Sequence, residues 1–261
     1  MAATKAEAFI LKTQDYRDTS LLGDFYTRDF GKVRGIVKGI RDARGRFGST
    51  LEPFSLNEIL FYKRRRGGDL HQVTQVDLIT LFPEVRESLD GLAYASYFTE
   101  LLNELVEAEE PSPETFDLLK DALLFLGSGA SPKRTARIFE VKLFSLLGLM
   151  PEIKACVACG IVSPEPAYFS VPQGGIRCRA CNVKSASSSA RPRLVDVSIP
   201  VSKGTLNFLD RARRTPFKDL QNVKVVHEVG RELEKILTRF AEYHLPTKLK
   251  SLVFLEKIGL N

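Results

Sequence analysis

A chain of 261 residues with 44% hydrophobic content has enough apolar material for two or three compact units, and no apolar run in it approaches the length needed to span a membrane. Its net charge of +6 and pI near 9.1 point toward an anionic partner. The charge is uneven: residues 81–130 carry 2 Lys/Arg against 11 Asp/Glu, and basic regions flank them on both sides. The opening Met1-Ala-Ala-Thr-Lys-Ala-Glu7 lacks the apolar stretch of a signal peptide, and the cysteines come only as CxxC pairs. Together these features predict a reducing, cytoplasmic setting.

In chain order, five apolar runs bounded by turn residues read as strands: Glu7 to Thr13, Ser20 to Thr27, Lys32 to Lys38, Phe54 to Tyr62 and Leu70 to Leu78. The third alternates clearly, with Val33, Gly35 and Val37 facing one way and Lys32, Arg34, Ile36 and Lys38 the other. Five short strands in about 80 residues suggest a small closed barrel, and the OB-fold is a barrel of that size that takes nucleic acid.

The stretch Gly31 to Gly48 holds Lys32, Arg34, Lys38, Arg41, Arg44 and Arg46 among several glycines, and Lys63, Arg64, Arg65 and Arg66 form a second cluster before a hairpin tip. Cations that follow a phosphate chain, beside aromatics such as Phe47 and Tyr62 that can stack a base, suit single-stranded nucleic acid without base readout. The alternative is a solvated basic loop with core aromatics. There is no Gly-x-x-x-x-Gly-Lys-Ser/Thr loop, so ATP hydrolysis is not expected.

After Pro83 the period changes to that of a helix. Leu89, Leu92, Ala93, Tyr97, Leu101 and Leu105 form one apolar face ending near Val106. A second helix runs from Glu114 to Leu126 on Phe116, Leu119, Leu123 and Leu124, and stops at Gly127-Ser-Gly129. Ser131-Pro132 opens a third, through Leu147, with Ile138, Phe139, Leu143 and Leu146 inward. Beyond a serine-rich link at 184–190, Val201 to Arg213, Val223 to Tyr243 and Lys248 to Lys257 are further helical segments.

Between them lie all four cysteines, as Cys156-Val-Ala-Cys159 and Cys178-Arg-Ala-Cys181. Two CxxC knuckles can bring four thiolates to one point, the arrangement of a tetrahedral zinc site. Two disulfides or four free thiols are the alternatives, but a disulfide within CxxC is strained, and disulfide scaffolds belong to short secreted chains. A closed shell of four sulfurs leaves no place for water or substrate, so such a zinc is structural. His71, His227 and His244 are not spaced to form a catalytic group, and no enzyme chemistry is predicted.

Several of these stretches resemble the RecO family of bacterial recombination mediators: Glu7 to Thr13, Phe30-Gly-Lys32, Val37 to Arg41, Arg46 to Phe54, Ala95 to Leu101, Phe139 to Gly148, and the cysteine lobe with Phe169-Ser170 and Gly174-Gly175. The resemblance covers about the first 180 residues; the rest matches only in helical character. It implies an α+β fold: an OB-fold at 1–80, a helical domain at 81–150 and 190–261, and a zinc lobe at 151–185 inserted in it. It further implies a cytoplasmic, nucleoid-associated protein that binds single- and double-stranded DNA and anneals strands coated by single-stranded DNA-binding protein (SSB). With RecR, such a protein helps RecA load. The family takes the acidic SSB tail on its helical domain, for which Arg134, Arg137, Phe139, Lys142 and Leu143 supply the ingredients here. The rival readings are a zinc-stabilised OB-fold that binds RNA and a zinc hydrolase, which the closed sulfur set disfavours.

Overall fold

The computed structural model describes residues 3–16, 20–38, 51–63, 70–187, 198–220 and 223–259. Five strands form its N-terminal part: β1 (Ala3–Tyr16), β2 (Ser20–Thr27), β3 (Gly31–Val37), β4 (Leu56–Tyr62) and β5 (Leu70–Thr80). They close into a barrel in the order β1-β2-β3-β5-β4, antiparallel throughout except where β3 and β5 run parallel. Closure leaves no open strand edge. The expected OB-type barrel is present, each strand within a few residues of the apolar run that predicts it.

Inward residues fill the barrel with Ala6, Ala8, Ile10, Phe25, Val33, Val37, Ile59, Phe61, Val73 and Val76. Gly23 and Gly35 stand opposite each other on β2 and β3, and a methyl group on Gly35 would lie 2.6 Å from Val73 Cγ2. Gly23 gives Phe25 its space, since a methyl group there would lie 2.6 Å from the ring, and Gly35 gives Val73 its own.

Helices follow: α1 (Pro83–Arg86), α2 (Leu89–Leu105), α3 (Pro113–Gly127), α4 (Pro132–Leu146), α5 (Arg179–Ser187), α6 (Lys203–Arg214), α7 (His227–His244) and α8 (Lys250–Lys257). Three short strands, β6 (Ala167–Ser170), β7 (Gly175–Cys178) and β8 (Ile199–Val201), form a sheet in the order β7-β6-β8. Ser88, Ser112 and Ser202 each cap a helix by accepting an N–H three residues on.

The chain forms two compact units, Met1–Thr135 with Leu249–Asn261, and Ala136–Lys248. In the first, the outer face of β1 is covered by helices: Phe9 lies 6.2 Å from Phe82 and 4.8 Å from Phe116, ring centre to ring centre. All three rings are buried, each contributing about 1.5–3 kcal/mol. Arg28 clamps α3 through two bonds to the Asp117 carboxylate, at 2.5 and 2.9 Å. Distant in sequence, α8 joins this unit because Glu100 of α2 accepts its first N–H groups, from Lys250 at 3.0 Å and Ser251 at 2.8 Å.

In the second unit Phe240 of α7 meets Phe144 at 5.2 Å and Phe169 of β6 at 6.1 Å, tying the cysteine lobe's sheet to a helix. Glu232 of α7 caps α6, accepting from Ser202 N–H, Ser202 Oγ and Thr205 Oγ1. Burial raises the Glu232 pKa, but these donors outweigh it and hold the carboxyl below the usual range.

Three leucines expected inward are exposed. Leu89 and Leu146 are terminal residues of α2 and α4, beyond the packed turns. Leu124 sits one step around the helix from the stripe Phe116, Leu119, Leu123 and Leu126, which sets the buried face of α3. Ile199–Val201, whose last residue was expected to open a helix, pairs with β6 as a strand because its alternate residues are buried.

Candidate metal centre and nucleic-acid interface

The first CxxC sits on a tight two-stranded turn. Cys156 N–H donates to Ile161 O at 2.8 Å, Gly160 N–H to Cys156 O at 2.8 Å, and Ser163 N–H to Lys154 O at 2.7 Å. Gly160 takes a φ of 76°, a conformation that costs glycine nothing. The turn is joined to β7 through Glu152, whose N–H donates to Gly174 O at 2.8 Å and whose carbonyl accepts from Ile176 N–H at 3.0 Å. A side chain at Gly175 would lie 2.6 Å from Glu152 O, so this close approach needs glycine. The second CxxC begins on the last residue of β7 and ends in the first turn of α5.

The four Sγ atoms lie within 4.8 Å of one another. Zinc with Zn–S bonds of ~2.3 Å places its sulfurs about 3.8 Å apart, and Cys159 Sγ and Cys178 Sγ are 3.8 Å apart. Backbone donors surround the cluster: Cys178 N–H reaches Cys156 Sγ at 3.3 Å. Burial pushes the Cys156 thiol up, but N–H groups of Cys178, Ala158 and Cys159 outweigh it and bring it to about 6. The contrast is Cys181, which its neighbours Cys159 and Cys178 push up to about 12. One thiolate forms readily while Cys159 and Cys181 resist, a conflict that a bound dication relieves. The donor set therefore fits a four-sulfur metal.

On the barrel, alternation holds as the sequence predicts: Lys32, Arg34, Ile36 and Lys38 point outward and Val33, Gly35 and Val37 are buried. Register sets the neighbours. Ile36 pairs with Leu22 on β2 and Gln72 on β5, and Gln72 pairs with Tyr62 on β4, so one outward row crosses four strands. Arg34 and Lys38 stand two residues to either side of Ile36, both exposed, and Arg34 Nε lies 3.4 Å from Asp24 Oδ1. Lys63, an exposed residue, sets its ammonium 4.8 Å over the Phe30 ring. Lys32 behaves differently. It is half-buried and donates to Asn103 O at 2.7 Å, and burial pushes its ammonium below the usual lysine range although Asp24 and Glu104 pull the other way. Arg41, Arg44, Arg46, Phe47, Arg64, Arg65 and Arg66 lie outside the described residues.

The expected partner-binding set on α4 is mostly interior. Phe139 and Leu143 are fully buried, and Arg137 is buried with its guanidinium 3.2 Å from the buried Glu140 carboxylate. Lys142 donates to Thr215 O at 2.6 Å. The two apolar side chains are core because they lie on the helix face that packs inward, so as the helix stands neither can anchor a peptide. Arg134 is half-exposed and Lys133 exposed.

Sequence reading did not find a cleft of about 390 Å³ beside the start of β3, lined by Lys12, Asp24, Lys32, Arg34, His71, Asn103, Glu104, Ala108 and Glu109. His71 is buried, with Nε2 3.0 Å from Glu109 Oε1, and its Nδ1 has no hydrogen-bond partner among the described residues. Strand parity alone puts Lys12 on the inward side with Ala8 and Ile10, and the register shift between Ile10 and Lys12 is what turns it out opposite Asp24.

Comparison with known proteins agrees with this architecture. Residues 1–82 match the family model "Recombination protein O N terminal" and residues 86–253 match "Recombination protein O C terminal". A relative from Syntrophus aciditrophicus, "DNA repair protein RecO", is 34% identical over 259 residues, covering 98% of this chain and 96% of its own length. Proteins of the same description from Pelotomaculum thermopropionicum, at 31% over 259 residues, and Anaeromyxobacter dehalogenans, at 34% over 263 residues, each cover 99% of this chain and at least 96% of their own. Matched by both family models and by these relatives over nearly its full length, the chain belongs to the Recombination protein O family of DNA repair proteins.

Proposed function

We propose that this protein is a recombination mediator that binds single- and double-stranded DNA on its barrel and anneals complementary strands. It acts on DNA coated by SSB and, with RecR, helps RecA load there. Annealing requires two polyanions to approach, and barrel cations lower that repulsion by displacing condensed counterions. The observation that carries the reading is the outward barrel row of Leu22, Ile36, Gln72 and Tyr62 bracketed by exposed Arg34 and Lys38. It offers a stacking ring and apolar floor between two cations, a footprint that tracks a backbone without reading its sequence. The basic residues at 41–46 and 63–66 extend the same charge in sequence.

The same proposal assigns Cys156, Cys159, Cys178 and Cys181 a bound zinc, which fixes the turn at 156–159 to β7 and α5 and carries no reaction step. For the acidic SSB tail, Lys133 and Arg134 supply charge, whereas Phe139 and Leu143 are withdrawn as apolar anchors because they are buried. A cytoplasmic, nucleoid-associated location follows from this role; among the described residues no helix is long and apolar enough to cross a membrane.

Fluorescence anisotropy with labelled single-stranded DNA, and with RNA of the same sequence, tests the reading across a salt series. Binding to DNA should weaken steeply as salt rises, and should weaken further in Lys38→Ala. A marked preference for RNA would replace this reading with an RNA-binding one, and salt-insensitive binding would remove the barrel cations from it.

A further inference from the structure

The acidic stretch after α2 is built into the barrel rather than hung beside it. Glu109 N–H donates to Lys32 O at 3.0 Å, Ala108 bridges to Lys32 in parallel, and the Glu109 carboxylate meets His71 at 3.0 Å. Glu109 holds a φ of 57°, a left-handed conformation that is costly for a residue with a Cβ and persists only where the surroundings fix it. On the other side Gly31, at φ 64°, leaves room for the strap: a Cβ there would lie 2.2 Å from Glu110 O. Lys32 completes the attachment by donating to Asn103 O in the last turn of α2, where the helix dipole is negative.

This attachment places Glu104 and Glu109 in one cleft with Lys12, Lys32 and Arg34. Asp24 joins from β2, so three carboxylates face three cations. Along β3 the cations therefore change character. Lys32 is tied to α2, Arg34 faces Asp24, and Lys38 projects into solvent. A phosphate entering the cleft would meet the carboxylates that line it, among them Asp24 and Glu104, whose charge already acts on Lys32.

We propose that Glu104 and Glu109 are an internal phosphate mimic, which occupies the Lys32 end of the barrel's cation row and confines a bound strand to the Lys38 end. This rests on the proposed DNA-binding reading and adds a boundary and a restraint on affinity to the same face. Removing the two charges leaves Lys12, Lys32 and Arg34 against Asp24 alone, a net positive cleft that can take one or two more phosphates. Each added phosphate contact steepens the single-strand salt dependence by about 0.7 in log–log slope.

The test is salt-dependent binding of labelled single-stranded DNA by the full chain carrying Glu104→Gln with Glu109→Gln. A second variant, Glu107→Gln with Glu110→Gln, makes the same change in net charge on exposed residues outside the cleft lining. The cleft variant should bind roughly three- to tenfold tighter at low salt with a slope steeper by about 0.7 to 1.4, and the control should move far less. Equal effects in both pairs would reduce the result to net charge and overturn the proposal, as would an unchanged slope in a cleft variant that melts like the parent. If the cleft variant loses stability, Glu104→Gln alone, which leaves the His71 contact intact, must still steepen the slope or the proposal falls. Lys38→Ala in the parent separates the two ideas: if it weakens binding while the cleft pair does nothing, DNA binding stands and the mimic is refuted, whereas no binding in any variant removes both.

Discussion

Replacing Cys178 by serine probes the proposed zinc at the residue that connects it to the rest of its unit. Cys178 is the last residue of β7, pairs with Ala167 of β6, donates its N–H to Cys156 and keeps its sulfur 3.8 Å from that of Cys159. Serine preserves the strand but replaces a thiolate with a poor zinc ligand, so the cluster loses closure. The sheet it anchors holds the fully buried Phe169 and Ile176, and Phe169 lies against Phe240 of α7. Releasing the lobe exposes both side chains, at about 1.5–3 kcal/mol each and so about 3–6 kcal/mol together, a large part of the ~5–15 kcal/mol that holds a domain folded. Thermal melting followed by circular dichroism, with zinc measured by release into a chromogenic chelator, reads both consequences. The parent should carry one zinc per chain, and the variant should lack it and melt well below. Chelator added to the parent should reproduce the variant's melt. A parent without zinc, or a variant and a chelated parent that melt like the untreated protein, would refute the reasoning.

Arg34→Ala should weaken single-stranded DNA binding less than Lys38→Ala, because Arg34 already faces Asp24 at 3.4 Å; anisotropy at a fixed low salt checks the order, and the reverse order would contradict the stated availability of the two cations. Gly35→Ala should destabilise the barrel by roughly 1–3 kcal/mol through crowding of Val73, measured by urea denaturation. The Glu232 carboxyl is held below its usual value of 4.5 in the folded protein, so its contribution is present above that pH and is lost as pH falls through the lower folded value. Glu232→Gln should accordingly flatten the fall in melting temperature on acidification, and an unaltered pH profile would show that the cap carries no such linkage.

The barrel was legible because five apolar runs are bounded by turn residues, and in the third, which alternates, a one-residue error in face would have put Lys32, Arg34 and Lys38 inside. The closure was not: β3 meets β5 in parallel across a long separation, and no local pattern encodes that pairing. Spacing alone disclosed the four cysteines, since CxxC geometry is local, while the amides that tune them depend on the turn at Gly160 and on β7. The pair of His71 and Glu109 is 38 residues apart in sequence and was invisible for that reason. For α4 the basic residues drew attention to a surface, yet Phe139 and Leu143 follow the apolar stripe and went to the core, and Arg137 found Glu140 three residues on, a spacing that was readable.

The proposed mediator role is tested most directly by annealing two complementary labelled oligonucleotides, each pre-coated with SSB from the same organism, without nucleotide and over a range of salt. The account predicts annealing much faster than with SSB alone, fading as salt rises, and slowed by Lys38→Ala. Tight binding to the coated strands with no gain in annealing rate at any salt would contradict it.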